Sequence, residues 1–275
     1  MSATVHNIIV VSDLHCGCQL GLMRPDGASL DEGGRATASI VQKKVWSWWL
    51  QFWDEWVPHV TKGEEYDVVI NGDIVDGQHH GSTSQWSHNP ADQGKAAFDI
   101  LEDIAKAARK FYVIRGTEAH AGISGNEEER LASALGAERG PMGNYSRWDL
   151  WKKMGPHLFH FAHHIGFTSS AAHETSAVNA ELSLMFTASG KSGDRPPTIA
   201  VRSHRHMCCE VRFPDEKYYT GAFCTPAWQL RTPFSFRVAR GRCYMPQVGG
   251  ALIRLGDEEL HTRFFIRNVK RDKPE

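Results

Sequence analysis

Long apolar runs are missing from this sequence, and no stretch approaches the roughly 18 residues that a membrane-spanning helix needs. The N-terminus lacks the basic flank and extended apolar segment of a secretory signal, since Ile8 to Val11 is only strand-length. Both absences point to a soluble, non-secreted, cytoplasmic protein with no membrane partner. Cysteine is sparse: Cys16, Cys18, Cys208, Cys209, Cys224 and Cys243 in 275 residues are too few for a disulfide-built fold. Their Cys-Gly-Cys and Cys-Cys spacings lack the two-residue gap usual for zinc ligands. Small reduced residues in packed turns are the expectation, with a thiolate-held zinc as the alternative. Internal repeats, low-complexity segments and linkers are absent too, so residues 1–275 read as one domain.

Net charge is almost absent, at −1, which argues against a broad nucleic-acid binder. Its distribution is uneven, however. Residues 1–190 carry 15 Lys/Arg against 23 Asp/Glu, whereas residues 191–275 carry 16 against 9. The basic C-terminal third either offers phosphates a positive surface or pairs with the acidic first part.

What is present is an alternation of short β-branched runs with helical segments. Runs at 8–11, 68–70, 111–114, 158–162 and 198–202 read as strands. Helices are expected over about 37–57, 94–109, 126–136 and 172–187. After residue 207 the pattern changes to short β runs at 208–213, 217–223, 234–238, 249–255 and 260–267. Such an order predicts an α/β fold with a mostly parallel sheet and a second sheet formed by the β-rich tail. The 37–57 segment contains Trp46, Trp48, Trp49, Phe52, Trp53 and Trp56 in two stripes. A helix apolar on two faces lies between layers; a base-stacking platform or a homo-oligomer contact is the sharper alternative.

Each of the five strands ends in acids and histidines: Ser12-Asp13-Leu14-His15, Asn71-Gly72-Asp73, Arg115-Gly116-Thr117-Glu118-Ala119-His120, His163-His164 and Ser203-His204-Arg205-His206. One such cluster is weak evidence. Five at the carboxyl ends of strands, where open α/β sheets bind ligands, are strong evidence for one shared crevice. Carboxylates and neutral imidazoles are what a pair of hard-to-borderline cations requires. Asp-x-His and His-x-His spacings put both side chains on one face of an extended strand end. Gly72 lets the chain turn tightly before Asp73.

Taken in order over residues 13–206, these segments, with Gly72-Asp73-Ile74-Val75-Asp76-Gly77 for the second, resemble the motifs of the calcineurin-like metallophosphoesterase superfamily. The resemblance implies a two-layer β-sandwich flanked by helices, with a dinuclear site at the C-terminal ends of strands. It implies two divalent ions, Mn²⁺ first, with Fe, Zn and Ni as alternatives. Asp13, His15 and His206 would hold one ion, Asp73 would bridge, and His204 with His163 or His164 would hold the other. His164-Ile-Gly-Phe looks like the family's His-x-Gly-Leu pattern, which favours His164. Ser203 stands where a glycine is usual.

The third motif departs from the pattern. The family's Gly-Asn-His followed by an acid is here Gly116-Thr117-Glu118-Ala119-His120. Glu118 is expected to replace the asparagine as a metal ligand, with His120 kept as the catalytic histidine; the alternative puts Thr117 in the asparagine's place. The implied chemistry is attack on phosphorus by a hydroxide bridging the two ions, with His120 protonating the leaving oxygen. Arg115 and Arg205 are candidate phosphate contacts. Asp76 is expected to cap the next helix or orient a neighbour rather than bind metal, and His79, His80 and His88 to be solvated. The expected substrate is a phosphodiester, nucleotide or nucleic acid. A phosphomonoesterase, a mononuclear zinc hydrolase and a non-catalytic metal-binding scaffold are the alternatives.

Overall fold

In the computed structural model, residues 6–79, 81–166, 173–214, 218–238, 246–256 and 260–269 are described. The chain forms two mixed sheets. In the first, β1 (His6–Val11), β4 (Tyr66–Asn71), β5 (Lys110–Ile114) and β6 (Ser146–Arg147) run parallel. Antiparallel β12 (Gln247–Leu255) and β13 (Leu260–Asn268) extend the β1 edge. The second sheet has the order β10 (Cys209–Pro214), β11 (Tyr219–Cys224), β9 (Ile199–Arg202), β8 (His157–Ala162) and β7 (Asp149–Met154). A two-stranded ribbon, β2 (Ala28–Ser29) and β3 (Arg35–Ala36), lies outside both.

The period-2 alternation of the strands fixes how the layers stack. Ile8, Val10, Val69 and Tyr112 of the first sheet meet Phe159, Phe161, Val201 and Phe223 of the second. The opposite parity, Ile9, Val11, Val68, Ile70 and Val113, packs against helices. Those helices are α1 (Ile40–Leu50), α3 (Pro90–Ala107) and α5 (Asn126–Ala134). On the far side, Val178 and Leu182 of α6 (Glu174–Ser192) cover Ala200 and Ala222 of the second sheet. The result is helix, sheet, sheet, helix: a β-sandwich flanked by helices, as the motif resemblance implies.

Three expectations are corrected. The tail does not build a sheet of its own: β10 and β11 join a sheet already containing β7 to β9, while β12 and β13 return to the first. β7 (Asp-Leu-Trp-Lys-Lys-Met) escaped notice because its two lysines hide an edge strand that buries only Leu150 and Met154. Residues 234–238 are helical, within α7 (Pro233–Val238). Thr232 starts that turn, its hydroxyl accepting from the Ser235 N–H at 3.2 Å and its carbonyl from the Phe236 N–H at 3.1 Å. A hydroxyl residue followed by proline is a helix-start signal.

The tryptophan-rich helix is also interrupted. α1 passes through a π-helical stretch, Gln51–Trp56, into α2 (Val57–Thr61). The wider π turn brings Val45, Trp49, Phe52, Val57 and Val60 onto one buried face, while Leu50 turns outward. Phe52 is fully buried and its ring meets Trp53, Trp56, Trp228 and Phe265 at 5.0–5.6 Å. Most of the aromatic surface offered as a stacking or oligomer face therefore packs within the chain. Among the described residues no helix is long and apolar enough to cross a membrane.

Phe52 keys this layer to the sheet, so Phe52→Ala should cost about 3–5 kcal/mol of folding stability, the usual loss for a fully buried ring. Urea unfolding followed by circular dichroism measures it. A loss under about 1 kcal/mol would mean that the neighbouring tryptophans close the cavity.

Candidate metal centre

At the exit of β1, the chain does not continue straight. Asp13 and His15 take left-handed conformations, with φ of 53° and 47°. Asp73 after β4 (53°) and His204 and His206 after β9 (70° and 55°) do the same. Among the described residues Lys62, at a helix end, is the one other non-glycine with positive φ. Asp and His tolerate this region better than most residues, yet it still costs free energy, on the order of 1 kcal/mol each. Strain concentrated at five acids and histidines marks a functional site. The exits are laced together: the Asp13 and His15 N–H groups donate to the carbonyls of Gly72 (2.9 Å) and Asp73 (3.1 Å). Trp228 N–H donates to the Asp13 carbonyl at 2.9 Å, tying the aromatic layer to the same loop.

These turns bring the side chains into two adjoining clusters, Asp13, His15 and His206, and Asp73, His163 and His204. Asp13 Oδ1 is faced by Nε2 of His206 at 3.2 Å, of His163 at 3.9 Å and of His15 at 4.0 Å. Asp73 Oδ2 lies 2.9 Å from His163 Nε2, 3.9 Å from His204 Nδ1 and 4.0 Å from His120 Nε2. The His15 and His206 Nε2 atoms are 3.2 Å apart. At most one proton can lie between two such nitrogens, and together with Asp13 they form a group that could hold a cation. Buried carboxylate oxygens ringed by imidazole nitrogens are the donor set that divalent transition ions take.

Neighbours fix which nitrogen faces the centre. His163 Nδ1 donates to the Asn71 carbonyl at 2.6 Å, leaving Nε2 inward. His15 Nδ1 donates to Asp76 Oδ1 at 3.2 Å. Asp76 is in turn held by Gln85 Nε2 (2.7 Å) and Gln229 Nε2 (3.3 Å), so it orients His15 as the sequence suggested. Gly72 and Gly116 leave room for the centre. A Cβ on Gly72 would meet His163 Nδ1 at 2.5 Å, and one on Gly116 would meet Asp73 Oδ1 at 2.1 Å.

The electrostatics follow from two acids buried together. Burial opposes the Asp13 carboxylate, but His206 and His163 outweigh it and hold its pKa at about 2. Asp73 is held well below the usual range, with burial again outweighed by His163 and His120. His163 responds in the opposite sense: burial disfavours its charge, yet Asp73 and Asp13 raise its pKa to about 10. A proton on His163 thus supplies positive charge that a metal ion would replace. Burial pushes His120 down to about 4, more than Asp73 can offset.

Several expectations change. His163, 2% exposed, reaches the carboxylates; His164 is exposed and its ring leans on His204 at 5.0 Å. Glu118 does not join either cluster: it is exposed at the start of the short α4 (Glu118–Ala121). Thr117 holds Asp73 instead, its N–H donating to Oδ1 at 2.7 Å and its hydroxyl at 3.2 Å. The arginines are engaged elsewhere. Arg115 pairs with Glu129 at 3.2 Å, and Arg205 Nη1 donates to the Glu174 carbonyl at 2.8 Å. His79 is not simply solvated, since its Nε2 lies 3.5 Å from Asp76 Oδ2 and its ring 4.4 Å from that of His120. His88 stays on the loop, its carbonyl accepting from Gln78, while His80 and Cys243 lie outside the described residues. None of the described cysteines joins a ligand cluster.

Sequence reasoning also missed Glu128, which is fully buried. Its two carboxylate oxygens accept from Ile74 N–H (3.0 Å) and Gly116 N–H (2.5 Å), pinning the second and third loops together. Burial and the nearby Asp73 raise its pKa to about 7. A helix bearing Glu127-Glu128-Glu129 reads as a solvated charge run, and nothing local singles out the middle residue.

An α/β protein with paired sheets, outer helices and a buried Asp/His cluster at the strand ends is the class that fold and site define. It agrees with what the resemblance of the motifs to those of the calcineurin-like metallophosphoesterases implies. No protein-family model and no curated protein sequence matches the chain. Among solved structures it is similar to vacuolar protein sorting 29 from Cryptosporidium parvum, at 10% identity and a TM-score of 0.41, covering 98% of this chain and 100% of that one. It is also similar to a metallophosphoesterase from Sphaerobacter thermophilus, at 11% identity and a TM-score of 0.38, covering 97% and 89%. The chemistry below is argued from the site's own geometry.

His163→Ala should abolish binding of one of two Mn²⁺ equivalents, whereas His164→Ala should keep both. Metal content after dialysis, read by plasma emission, checks this. Full occupancy in the His163 variant would return the ligand role to His164.

Proposed function

We propose that this chain is a metal-dependent phosphoesterase acting on phosphodiesters. The observation that carries the reading is the convergence of five strained residues from three strand ends, the buried Asp13 and Asp73 with His15, His204 and His206. Asp13, His15 and His206 would hold one divalent ion, and Asp73, His163 and His204 the other. Mn²⁺ suits this oxygen and imidazole set; Fe and Zn are the nearest alternatives. Such ions, when bound, neutralise phosphoryl oxygens and lower the pKa of water.

The remaining steps fall to the chain's own groups. Asp76 and the Asn71 carbonyl keep His15 and His163 in the tautomers that ligate. His120 moves the proton. Its Nδ1 donates to the Asp76 carbonyl at 2.6 Å, so Nε2 faces Asp73 and the centre. With Nδ1 so held, Nε2 is the atom placed to give a proton to the leaving oxygen. The phosphate charge is left to the metal ions, because Arg115 and Arg205 already have partners.

One observation favours a metal-binding scaffold instead: Thr117 binds Asp73 where the resembled motif has a ligating asparagine. A single assay separates the readings. Mn²⁺-loaded protein should hydrolyse bis-p-nitrophenyl phosphate, and dialysis against a chelator should abolish the activity. His120→Ala should lower kcat/KM by about 10²–10⁴-fold on a diester with an alkyl leaving group and by less on a p-nitrophenyl ester. A fully metallated protein inactive on mono- and diesters alike would leave the scaffold.

A further inference from the structure

Beside the metal centre lies a pocket of about 310 Å³, lined by Arg115, Gly116, Thr117, Glu118, Trp148 and His163, with Ala162 and His164 completing its wall. His163 belongs both to this wall and to the ligand cluster, so the pocket opens directly off the site. Its content is unusual. Trp148 is 53% exposed; Trp151 is the other exposed tryptophan among the described residues, and the rest are buried or half-buried. The Arg115 guanidinium lies over the Trp148 ring, 5.3 Å from its centroid.

Arg115 is itself held rigidly. Nε donates to the Ser146 hydroxyl (2.8 Å), Nη1 to the Ser124 carbonyl (3.1 Å) and Nη2 to Glu129 (3.2 Å). Glu129 is held down at about pKa 2: burial opposes its charge, and Ser146, Tyr145 and Arg115 outweigh it. The arginine's charge is thus already matched, and Glu118 on the same wall adds a negative one. Arg115 therefore has little charge to spare for a second phosphate, whereas a flat, uncharged ring would gain the exposed Trp148 as a stacking face that the arginine keeps in place.

We infer that the pocket is a base subsite, in which Trp148 stacks the nucleobase of a nucleoside phosphodiester while its phosphate occupies the metal centre. The inference rests on the phosphoesterase reading and gives it a substrate class. It also assigns Arg115 a positioning role, supporting Trp148 instead of clamping phosphate. Glu118, which the sequence offered as a metal ligand, instead sets the pocket's charge.

Two arms test it. Mn²⁺-loaded protein is assayed on thymidine 5′-p-nitrophenyl phosphate and on methyl p-nitrophenyl phosphate, which share a leaving group. The nucleoside ester should be preferred, with Trp148→Ala reducing the kcat/KM ratio on the order of tenfold and Trp148→Phe keeping most of it. Calorimetry of thymidine 5′-monophosphate with the Mn²⁺-loaded protein should show weaker binding in Trp148→Ala by a similar factor. An unchanged ratio or unchanged nucleotide affinity in Trp148→Ala overturns the base subsite. Failure to hydrolyse either ester, with nucleotide binding intact and dependent on Trp148, overturns the phosphoesterase reading and leaves the nucleotide site.

Discussion

Two carboxylates buried side by side govern this structure. Asp13 and Asp73 have essentially no exposure, and an unpaired ion in such a place would cost several kcal/mol. The chain meets that cost by surrounding the pair with imidazoles and by raising His163 to a pKa of about 10. The strain at five left-handed residues is a further charge against folding. At about 1 kcal/mol each, their sum is a sizeable part of the whole stability of an ordinary domain. A fold carries such a load when it has a use for the arrangement.

The rest of the molecule can be read as support for those two acids. The parallel strands deliver loops to one edge, and backbone hydrogen bonds between the exits of β1 and β4 hold them in register. The aromatic layer stands behind them. Trp49 packs edge-on to Trp228 at 4.7 Å, and Trp228 in turn bonds to the Asp13 carbonyl. Beneath the third loop, Glu128 joins Ile74 to Gly116, and Gly116 lets Asp73 approach where any side chain would collide.

Much of this was legible in the sequence, and what was not has physical reasons. Asp13, His15, Asp73, His204 and His206 could be found because strand ends and i, i+2 spacing are local signals. Choosing between His163 and His164 needed only parity. His163 shares the phase of Phe159 and Phe161, which point between the sheets, whereas His164 has the opposite phase. The motif pattern favours His164, but it is His163 that lies against the buried carboxylates. Glu128, Gln85 and Gln229 were not legible, because each acts on residues distant in sequence through a tertiary contact. The π-helical turn and the helix at 233–238 were overwritten by apolar spacing that fits more than one period.

The departure in the third motif bears on what the centre can do. With Thr117 hydrogen-bonded to Asp73 and Glu118 facing out, each proposed ion has three or so protein groups in reach. Structural metal sites close their coordination shells, while catalytic ones keep positions open for water and substrate. Losing one protein ligand would loosen the second ion, but it would also leave another open position beside His163, on the side where the pocket begins. In that reading, the departure in the third motif falls on the pocket side of the centre. Exchangeable metal and a reachable phosphorus would have the same structural cause.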